Sequence, residues 1–471
     1  MKNITVCGFD IRDFSVYCAD KISCDNKVIK SKVCAEKLSE LLSLTISEEM
    51  GDGKYIVVSA SSTDVNSYSV KISEMKIEIS GSFLSVDRAF EGFLKLIDEN
   101  PALCEGDSFS GSLELGVPYN KEDLYRLFET ASESDKMIIS GTHAYQVGKE
   151  LGKIGSTLLQ TKEKCGEFPA IIEIDLGLHS VYFDFYYKGD TISPYDLSVY
   201  VSECLEHASK GGIISVCIHM SNPLNNAKDK VWYRGKLGSD ELAKEMLTEG
   251  SELHGALRKT LESTFMLLKA LKQNGIPFMF RPLHEMNGGW FWWCVNQGGD
   301  IKLQRETMAD FWKFFYKVVS DELDIKDVLW VYSPNYNTGS CADVLYAYPG
   351  DEYVDIVGCD WYTGGNYEVN NNNSYSGVMA TGKISALTEV GPASGGPLAI
   401  KNEEGKITGY NWTCLDLLSS MKRMLSDGFK ISYFLTWTGK GSIAGLGDGD
   451  VLMKDDLILT RDDIMSKFWE K

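Results

Sequence analysis

The last two thirds of the chain repeat one pattern, a short apolar run followed by a stretch with the three-to-four-residue spacing of a helix. The run occurs eight times, and most copies are continuously apolar, as is typical of strands buried on both faces of a parallel sheet. Eight strand–helix units in roughly 335 residues predict a (β/α)8 barrel, whose usual size is about 250 residues plus insertions. The predicted strands are 137–143, 170–177, 212–220, 277–285, 328–335, 355–362, 384–391 and 431–437.

The first 100 residues have a different pattern, which predicts a small α/β unit with a sheet and two helices. The segment "YSVKISEMKIEISG" (68–81) alternates apolar and polar side chains on both sides of a polar turn, as a hairpin does. Stretches 35–44 and 85–97 have the spacing of amphipathic helices. Residues 101–134 are predicted as a linker, because they begin with a segment rich in Pro, Gly and Ser. Residues 135–471 are then the barrel domain.

Charge and composition exclude several kinds of partner. The net charge of −20 makes nucleic acid and anionic membrane surfaces poor partners, whereas a neutral sugar is compatible with it. No apolar run approaches the roughly 18–20 residues that span a bilayer. The twelve cysteines are scattered without paired spacing, which favours free thiols over a disulfide framework. The N-terminal segment lacks the features of a signal peptide, so we expect a cytoplasmic protein; a leader trimmed from the chain would instead make it secreted. We also expect a monomer.

Polar or aromatic side chains follow every predicted strand of the barrel. Barrel enzymes carry their chemistry at the carboxyl ends of the strands, so these side chains are expected to share one rim. Any one of these residues alone could be explained as a helix cap or a core side chain, but polar or aromatic residues at the ends of all eight strands indicate a functional site. In strand order they are His143, Asp175, His219, the group Arg281, His284 and Glu285, then Asn335, the group Asp360, Trp361 and Tyr362, then Glu389 and Trp437.

The fourth and seventh strands each end in one glutamate, Glu285 and Glu389, and they lie on opposite sides of an eight-stranded barrel. Two carboxyl groups that face each other across a pocket are the requirement for glycoside hydrolysis, in which one is protonated and the other ionised. Arg281 is placed to keep Glu389 ionised. The apolar segment "WFWW" (290–293) is placed to raise the pKa of Glu285 and keep it protonated.

The same aromatic segment predicts sugar binding, because aromatic faces stack on sugar rings and the Gly-Gly turn before it lets the chain double back. The competing interpretation of the pair His284–Glu285 is a zinc site. The zincin pattern needs a second histidine four residues after the first, and position 288 is Gly. No set of His, Cys, Asp and Glu has metal-ligand spacing, so we expect neither metal nor cofactor.

These stretches together resemble glycoside hydrolase family 26, the family of endo-β-1,4-mannanases. The resemblance rests on "RPLHEMNGGWFWW" and "TEVG", with support from "FPAIIEIDLG", "IHMSNP", "YSPN" and "YPGDEYVDIVGCDWY" in the family's order. It covers about residues 135–471. The N-terminal unit separately resembles the α/β domain that precedes the barrel in hexosaminidases, a domain that is normally non-catalytic.

The resemblance implies a retaining, double-displacement mechanism, with Glu285 as the general acid/base and Glu389 as the nucleophile. The two carboxyl groups are then expected to lie about 5–5.5 Å apart. The resemblance implies that Tyr362 and Arg281 orient the nucleophile. The other positions that match the family's substrate-contacting or orienting residues are His219, Trp232, His284, Trp290, Asp360 and Trp437.

The expected substrate is β-mannan or manno-oligosaccharide, but two departures from the family leave alternatives open. Cys294 stands where a glycine is expected, and "WTGK" (437–440) differs from the usual end of the eighth strand. A β-glucanase or β-xylanase of the same mechanism is one alternative, and a carbohydrate-binding protein on an inactive barrel is another. Endo or exo action depends on the loops at 221–250 and 363–383.

Overall fold

The N-terminal unit is built on a six-stranded mixed sheet. The structure, a computed structural model, describes residues 3–20, 30–144, 153–175, 192–224, 237, 239–296, 303–337, 339, 341–363, 370, 373–392, 399–410 and 416–470. The sheet order is β4–β3–β5–β7–β6–β9, and β6 and β7 form the predicted antiparallel hairpin. The elements are β1 (Thr5–Val6), β2 (Phe9–Asp10), β3 (Phe14–Cys18), α1 (Lys30–Leu42), β4 (Ile46–Ser47), β5 (Lys54–Ser59), β6 (Ser67–Ile72), β7 (Lys76–Ser80), α2 (Val86–Glu99), β8 (Ala102–Leu103) and β9 (Ser108–Ser112).

Residues 101–134, where the sequence predicts a linker, carry regular structure. Strand β9 completes the edge of the sheet, although its run of Ser and Gly has only one large apolar side chain, Phe109. A helix, α3 (Lys121–Ser132), follows and begins with a capping box between Asn120 and Asp123. Its apolar face packs against the first residues of the barrel strands. The helix therefore covers the N-terminal end of the barrel, a role that a composition rich in Pro, Gly and Ser does not reveal.

The predicted (β/α)8 barrel is confirmed. Eight parallel strands close in chain order, and each overlaps one of the eight predicted runs; two of them extend one residue beyond the predicted end, to Thr363 and Pro392. The strands are β11 (Gly141–His143), β12 (Ile171–Asp175), β13 (Ile213–Cys217), β14 (Phe278–Arg281), β15 (Val328–Tyr332), β16 (Ile356–Thr363), β17 (Ile384–Pro392) and β20 (Phe434–Thr436). Short pairs outside the barrel are β10 (Ile138–Ile139) with β21 (Ile458–Leu459), and β18 (Ala399–Lys401) with β19 (Ile407–Tyr410).

Helices surround the barrel and connect its strands. The longest described one ends at Gln273 and is capped by Asn274, and Gly275 follows with a φ of 62°, the left-handed conformation that favours glycine. No helix in the described ranges is both long and apolar enough to cross a membrane. The helices are α4 (Lys153–Cys165), α5 (Pro194–Ala208), α6 (Asp240–Leu247), α7 (Glu252–Gln273), α8 (Arg305–Tyr316), α9 (Ser374–Met379), α10 (Leu417–Ser426), α11 (Gly449–Met453) and α12 (Arg461–Ile464), with π-helical turns at Lys317–Glu322 and Met465–Trp469.

The N-terminal unit packs on the side of the barrel. The amide of Asn274, at the end of α7, accepts a hydrogen bond from the Val65 N–H (2.9 Å) and donates one to the Thr63 carbonyl (2.7 Å). The Phe83 N–H donates to the hydroxyl of Ser198 on α5 (2.9 Å). Both contacts lie on helices outside the barrel, away from the rim that carries the two glutamates.

Candidate active site

The turn after β14 holds Glu285 in a strained backbone conformation. Leu283 and Glu285 both have positive φ, 56° and 53°, which non-glycine residues adopt at a cost of about 1 kcal/mol or more. The Glu285 N–H donates to the Ser333 carbonyl (2.7 Å), and the Glu285 carbonyl accepts from the Gly288 N–H (2.9 Å) and the Cys294 thiol (3.3 Å). The unusual Cys294 thus supports the turn that carries Glu285.

The aromatic segment after this turn divides into packing residues and one exposed residue. Trp292 and Trp293 are fully buried, and their indole N–H groups donate to the carbonyls of Met220 and His284. Phe291 is also buried, so three of the four aromatic side chains belong to the core rather than to a sugar-binding wall. Trp290 is 40% exposed, and its indole N–H donates to Oε2 of Glu285 (2.5 Å).

Gly288 makes the position of Trp290 possible. A Cβ atom at residue 288 would lie 2.4 Å from the Trp290 ring, so only glycine lets the indole fold back over the turn toward Glu285. The "NGG" turn and the exposed tryptophan therefore act together on the carboxyl group. Trp290, the first residue of the aromatic segment, contacts Glu285, whereas Phe291, Trp292 and Trp293 pack in the core and hold the backbone in place.

Arg281 is the centre of a buried network of carboxylates. Its guanidinium is 1% exposed and pairs bidentately with Glu173 on β12, through Nε (3.1 Å) and Nη2 (2.5 Å). Nη1 donates to Asp360 (3.2 Å), and Nη2 donates to Glu389 (2.9 Å). One buried cation thus faces three carboxyl groups from three strands, which fixes the guanidinium and holds Glu389 in place.

Glu389 has a second donor on its other oxygen. The hydroxyl of Tyr362, near the end of β16, donates to Oε1 of Glu389, while Arg281 occupies Oε2. Burial raises the pKa of Tyr362 well above its ordinary value, and the adjacent Glu389 charge raises it further, so the phenol keeps its proton. Both oxygens of Glu389 therefore accept hydrogen bonds, one from a buried cation and one from a phenol.

Asp360 lies beneath this pair. Its Oδ1 accepts from the hydroxyls of Ser333 (2.6 Å) and Thr388 (2.8 Å), and Oδ2 accepts from Arg281. Burial raises the pKa of Asp360 to about 8, against the lowering effect of Arg281, and Glu389 adds to the rise. Because it is fully buried, Asp360 positions Arg281 rather than reaching a substrate.

Glu285 has the opposite electrostatic setting. Burial raises the pKa of its carboxyl well above the ordinary value, and repulsion from Asp360 and Glu389 raises it further. The hydrogen bond from Trp290 and the more distant Arg281 lower it, with less effect. The result is a carboxyl group that stays protonated above the usual range, as a general acid requires.

Histidines form the third side of the site. Nδ1 of His219 lies 2.5 Å from Oδ2 of Asp175, and Nε2 of His219 lies 3.1 Å from Nε2 of His284. Burial lowers the pKa of His284 well below its ordinary value, with help from His219 and Arg281, so its ring is neutral. Trp437 is half-buried, and its ring centre lies 5.8 Å from that of His219.

A family model described as "Glycosyl hydrolase family 26" matches residues 126–439, more than half of the chain. The chain belongs to glycosyl hydrolase family 26. The family resemblance inferred from the sequence is therefore confirmed. The family model begins within α3, so it matches the barrel and not the N-terminal unit.

Individual relatives of this family 26 chain are mannanases. A mannan endo-1,4-beta-mannosidase of Bacillus subtilis (strain 168) is 29% identical over 266 residues, which cover 56% of this chain and 66% of that protein. Mannan endo-1,4-beta-mannosidase A and B of Caldalkalibacillus mannanilyticus is 26% identical over 341 residues, 71% of this chain and 59% of that protein. The alignments thus span less than two thirds of either relative. The solved structure of Bacillus subtilis mannanase man26 has a TM-score of 0.58 at 23% identity and covers 72% of this chain and 92% of that one, which shows the fold.

The structure brings most of the predicted site residues of this family 26 barrel together. Trp232 lies outside the described residues. The sequence analysis missed Glu173, the bidentate partner of Arg281. Its signal was an acidic residue in the middle of the apolar run "IIEID", which places a carboxyl group inside the barrel. The residues that meet around the Arg281 network and the histidine pair are His219, Arg281, His284, Glu285, Trp290, Asp360, Tyr362, Glu389 and Trp437.

The fold also creates two sets of metal-ligating side chains within the described part of the chain. One set is His143, Glu173 and Cys217, and the other is Asp175, Cys217 and His219, with ligand atoms within 4.8 Å of one another in each. The sequence analysis found no such set because it considered only the spacing of these residue types along the chain. These residues come from three neighbouring strands, β11 to β13 and the turn after β13, so only barrel closure brings them together.

Proposed function

We propose that the protein is a retaining glycoside hydrolase that cleaves β-1,4-mannosidic bonds in mannan or manno-oligosaccharides. The observation that carries this proposal is the difference in hydrogen-bond partners between two carboxyl groups, that of Glu285 in the turn after β14 and that of Glu389 on β17. Glu389 receives hydrogen bonds from a buried cation and a phenol. Glu285 is buried beside an exposed indole, and no ion pair joins it to a cation among the described residues.

In the first step, Glu389 attacks the anomeric carbon and Glu285 gives its proton to the departing glycosidic oxygen. The bond between the anomeric carbon and that oxygen breaks as the glycosyl–Glu389 ester forms. In the second step, the Glu285 carboxylate takes a proton from water, the water oxygen attacks the anomeric carbon, and Glu389 leaves. Arg281 and Tyr362 stabilise the charge that returns to Glu389.

The substrate class is supported by the names of the relatives and by the aromatic side chains at the rim. Trp290 is exposed beside Glu285 and Trp437 is half-buried beside His219, and such ring surfaces suit stacking on sugar rings. A β-glucan is the second candidate, because Endoglucanase H of Acetivibrio thermocellus is 31% identical over 96 residues, 20% of this chain and 10% of that protein.

Hydrolysis of mannan, mannotetraose, lichenan and β-1,3-xylan tests the proposal, with the Glu389→Ala variant as the control for contaminating activity. We expect turnover of mannan or mannotetraose, and NMR of the first product should show the β-anomer before mutarotation. An initial α-anomer would rule out the retaining mechanism. Turnover of lichenan alone would show that the substrate is a β-glucan rather than a mannan, with the mechanism unchanged. A crystal structure should place the carboxyl groups of Glu285 and Glu389 about 5–5.5 Å apart.

The N-terminal unit is proposed to support the barrel rather than to take part in catalysis. Its hydrogen bonds to the barrel helices include those with Ser198 on α5 and with Gln273 and Asn274 at the end of α7. The Asn274→Ala variant should lower the melting temperature, because it leaves the Val65 N–H and the Thr63 carbonyl without their partner. Its kcat on mannan should be unchanged. A lower kcat with an unchanged melting temperature would contradict this role.

A further inference from the structure

The interior of the barrel contains a thiol that the proposed mechanism does not use. Cys217 is the last residue of β13 and is fully buried. Its Sγ lies 3.3 Å from Nε2 of His143, and that nitrogen lies 3.7 Å from Oε2 of Glu173. A thiol, an imidazole and a carboxylate therefore converge from β11, β12 and β13.

These separations suit one tetrahedral ion. With metal–sulfur bonds of about 2.3 Å and metal–nitrogen or metal–oxygen bonds of about 2.0–2.1 Å, neighbouring ligand atoms lie about 3.3–3.6 Å apart. The His143–Cys217 distance of 3.3 Å lies at the lower end of this range, and the His143–Glu173 distance of 3.7 Å lies 0.1 Å above it, so small side-chain shifts bring both to ligand separations. In the second set, Asp175 and His219 lie 2.5 Å apart, which is a hydrogen bond and too short for two ligands of one ion.

The charge around the three residues also favours a cation. Arg281, the cation nearest to Glu173, is already engaged in ion pairs with Glu173, Asp360 and Glu389. Asp175 adds another carboxyl group 3.5 Å from the Cys217 sulfur. Thiolate and imidazole ligands select soft or borderline ions such as Cd²⁺ and Zn²⁺ over Mg²⁺ and Ca²⁺.

We propose that Cys217, His143 and Glu173 bind a thiophilic divalent cation, and that the bound ion inhibits the enzyme. Binding forms a metal–thiolate bond and releases the thiol proton to solvent. The ion takes Oε2 of Glu173, the same oxygen that accepts from Arg281 Nη2. It therefore competes with the bond that fixes the guanidinium against Glu389. The site goes beyond the proposed function, since it needs no substrate.

Cd²⁺ is the probe, and two cysteine variants separate this site from adventitious binding. Titration of the full chain with CdCl₂ should give one tight event, with the ultraviolet absorbance of a cadmium–thiolate bond. Cys217→Ser keeps the size of the side chain and should weaken that event about 100-fold or more. Cys104→Ser, which removes an exposed thiol, should leave it unchanged. Equal affinity in the wild type and Cys217→Ser would overturn the proposal, as would loss of the event in Cys104→Ser.

Two further measurements keep the test independent of variant folding and of the substrate. A crystal of the wild-type protein soaked in CdCl₂ should show an anomalous peak between Cys217 Sγ and His143 Nε2. A saturating soak with no peak there contradicts the site. Inhibition of each variant, relative to its own metal-free rate, should follow the absorbance titration and reverse with EDTA. A peak without any measurable hydrolase activity would support the site and count against the proposed function only.

Discussion

The surroundings of Glu285 and of Glu389 differ in partners rather than in depth. The two side chains are 9% and 5% exposed, so burial by itself does not distinguish them. Glu389 contacts the guanidinium of Arg281 and the phenol of Tyr362. Glu285 contacts one indole N–H at the edge of the cleft. The same residue type thus has a cation and a phenol as partners at one position and a single indole N–H at the other.

The comparison shows how a barrel assigns two roles to one chemical group. Burial destabilises any carboxylate, and a paired cation compensates for it. The Arg281 guanidinium pairs with Asp360 on β16 and Glu389 on β17, and its bidentate pair with Glu173 on β12 fixes it between them. Arg281 therefore pairs with Glu389, the proposed nucleophile. Glu285, the proposed acid/base, has no such ion pair among the described residues, and burial raises its pKa.

The largest expected effect comes from removing the nucleophile. Glu389→Ala should lower kcat by about 10⁴-fold or more on every substrate, because no glycosyl ester can form. The measurement is turnover of mannan and of an aryl mannoside with an acidic phenol as leaving group. A circular dichroism melt checks that the protein is folded. Normal release of phenol by this variant would reverse or remove the assignment.

Removing the acid/base should give a smaller and substrate-dependent effect. Glu285→Ala should lose about 10²–10⁴-fold on mannan, whose leaving oxygen needs a proton. On the activated aryl mannoside, it should release phenol in a burst and then stall, because water lacks a general base. Azide should restore the slow phase, since it attacks without giving up a proton. A burst in Glu389→Ala, with Glu285→Ala inert, would exchange the two roles.

Removing one donor from the nucleophile should have an intermediate effect. Tyr362→Phe keeps the ring and deletes the hydroxyl that donates to Glu389. A hydrogen bond to a charged group is worth about 1.5–3 kcal/mol, so kcat/KM should fall roughly 10- to 100-fold. Tyr336→Phe is a matched control, because its hydroxyl donates to the Tyr362 carbonyl rather than to a carboxylate. Equal losses in both variants would indicate a packing effect.

The smallest expected effect is a shift in the pH dependence that Glu285 sets. Burial raises the pKa of Glu285, so kcat/KM should persist above the usual carboxyl range and fall as pH rises and the acid is deprotonated. Trp290→Phe keeps an aromatic face but removes the N–H bond that favours the carboxylate. The alkaline limb of kcat/KM should therefore move to higher pH, by about one unit or less. A move to lower pH would contradict this role of the indole.

Sequence by itself determined the barrel and pointed to the two carboxyl groups of the proposed mechanism. Eight continuous apolar runs give the strands, and one glutamate lies at or near the end of the fourth run and another near the end of the seventh. Those positions singled out Glu285 and Glu389, with Arg281 beside them, whereas the expectation that Tyr362 orients the nucleophile came from the family resemblance. The hairpin of β6 and β7 also follows, since it shows the period-two alternation of a sheet with one buried face.

Tertiary structure decided which side chains become partners. Glu173 and Cys217 lie in runs whose apolar residues are buried on both faces, so the pattern does not show which positions point into the barrel. Trp292 and Trp293 looked like Trp290 in the sequence, but only the path of the turn after β14 buries two and exposes one. Helix α3 contains no Pro or Gly, but it follows the segment rich in Pro, Gly and Ser, and the barrel end that it covers exists only after closure. Contacts within one strand are set by local spacing, whereas contacts between strands depend on register and closure, which the whole fold determines.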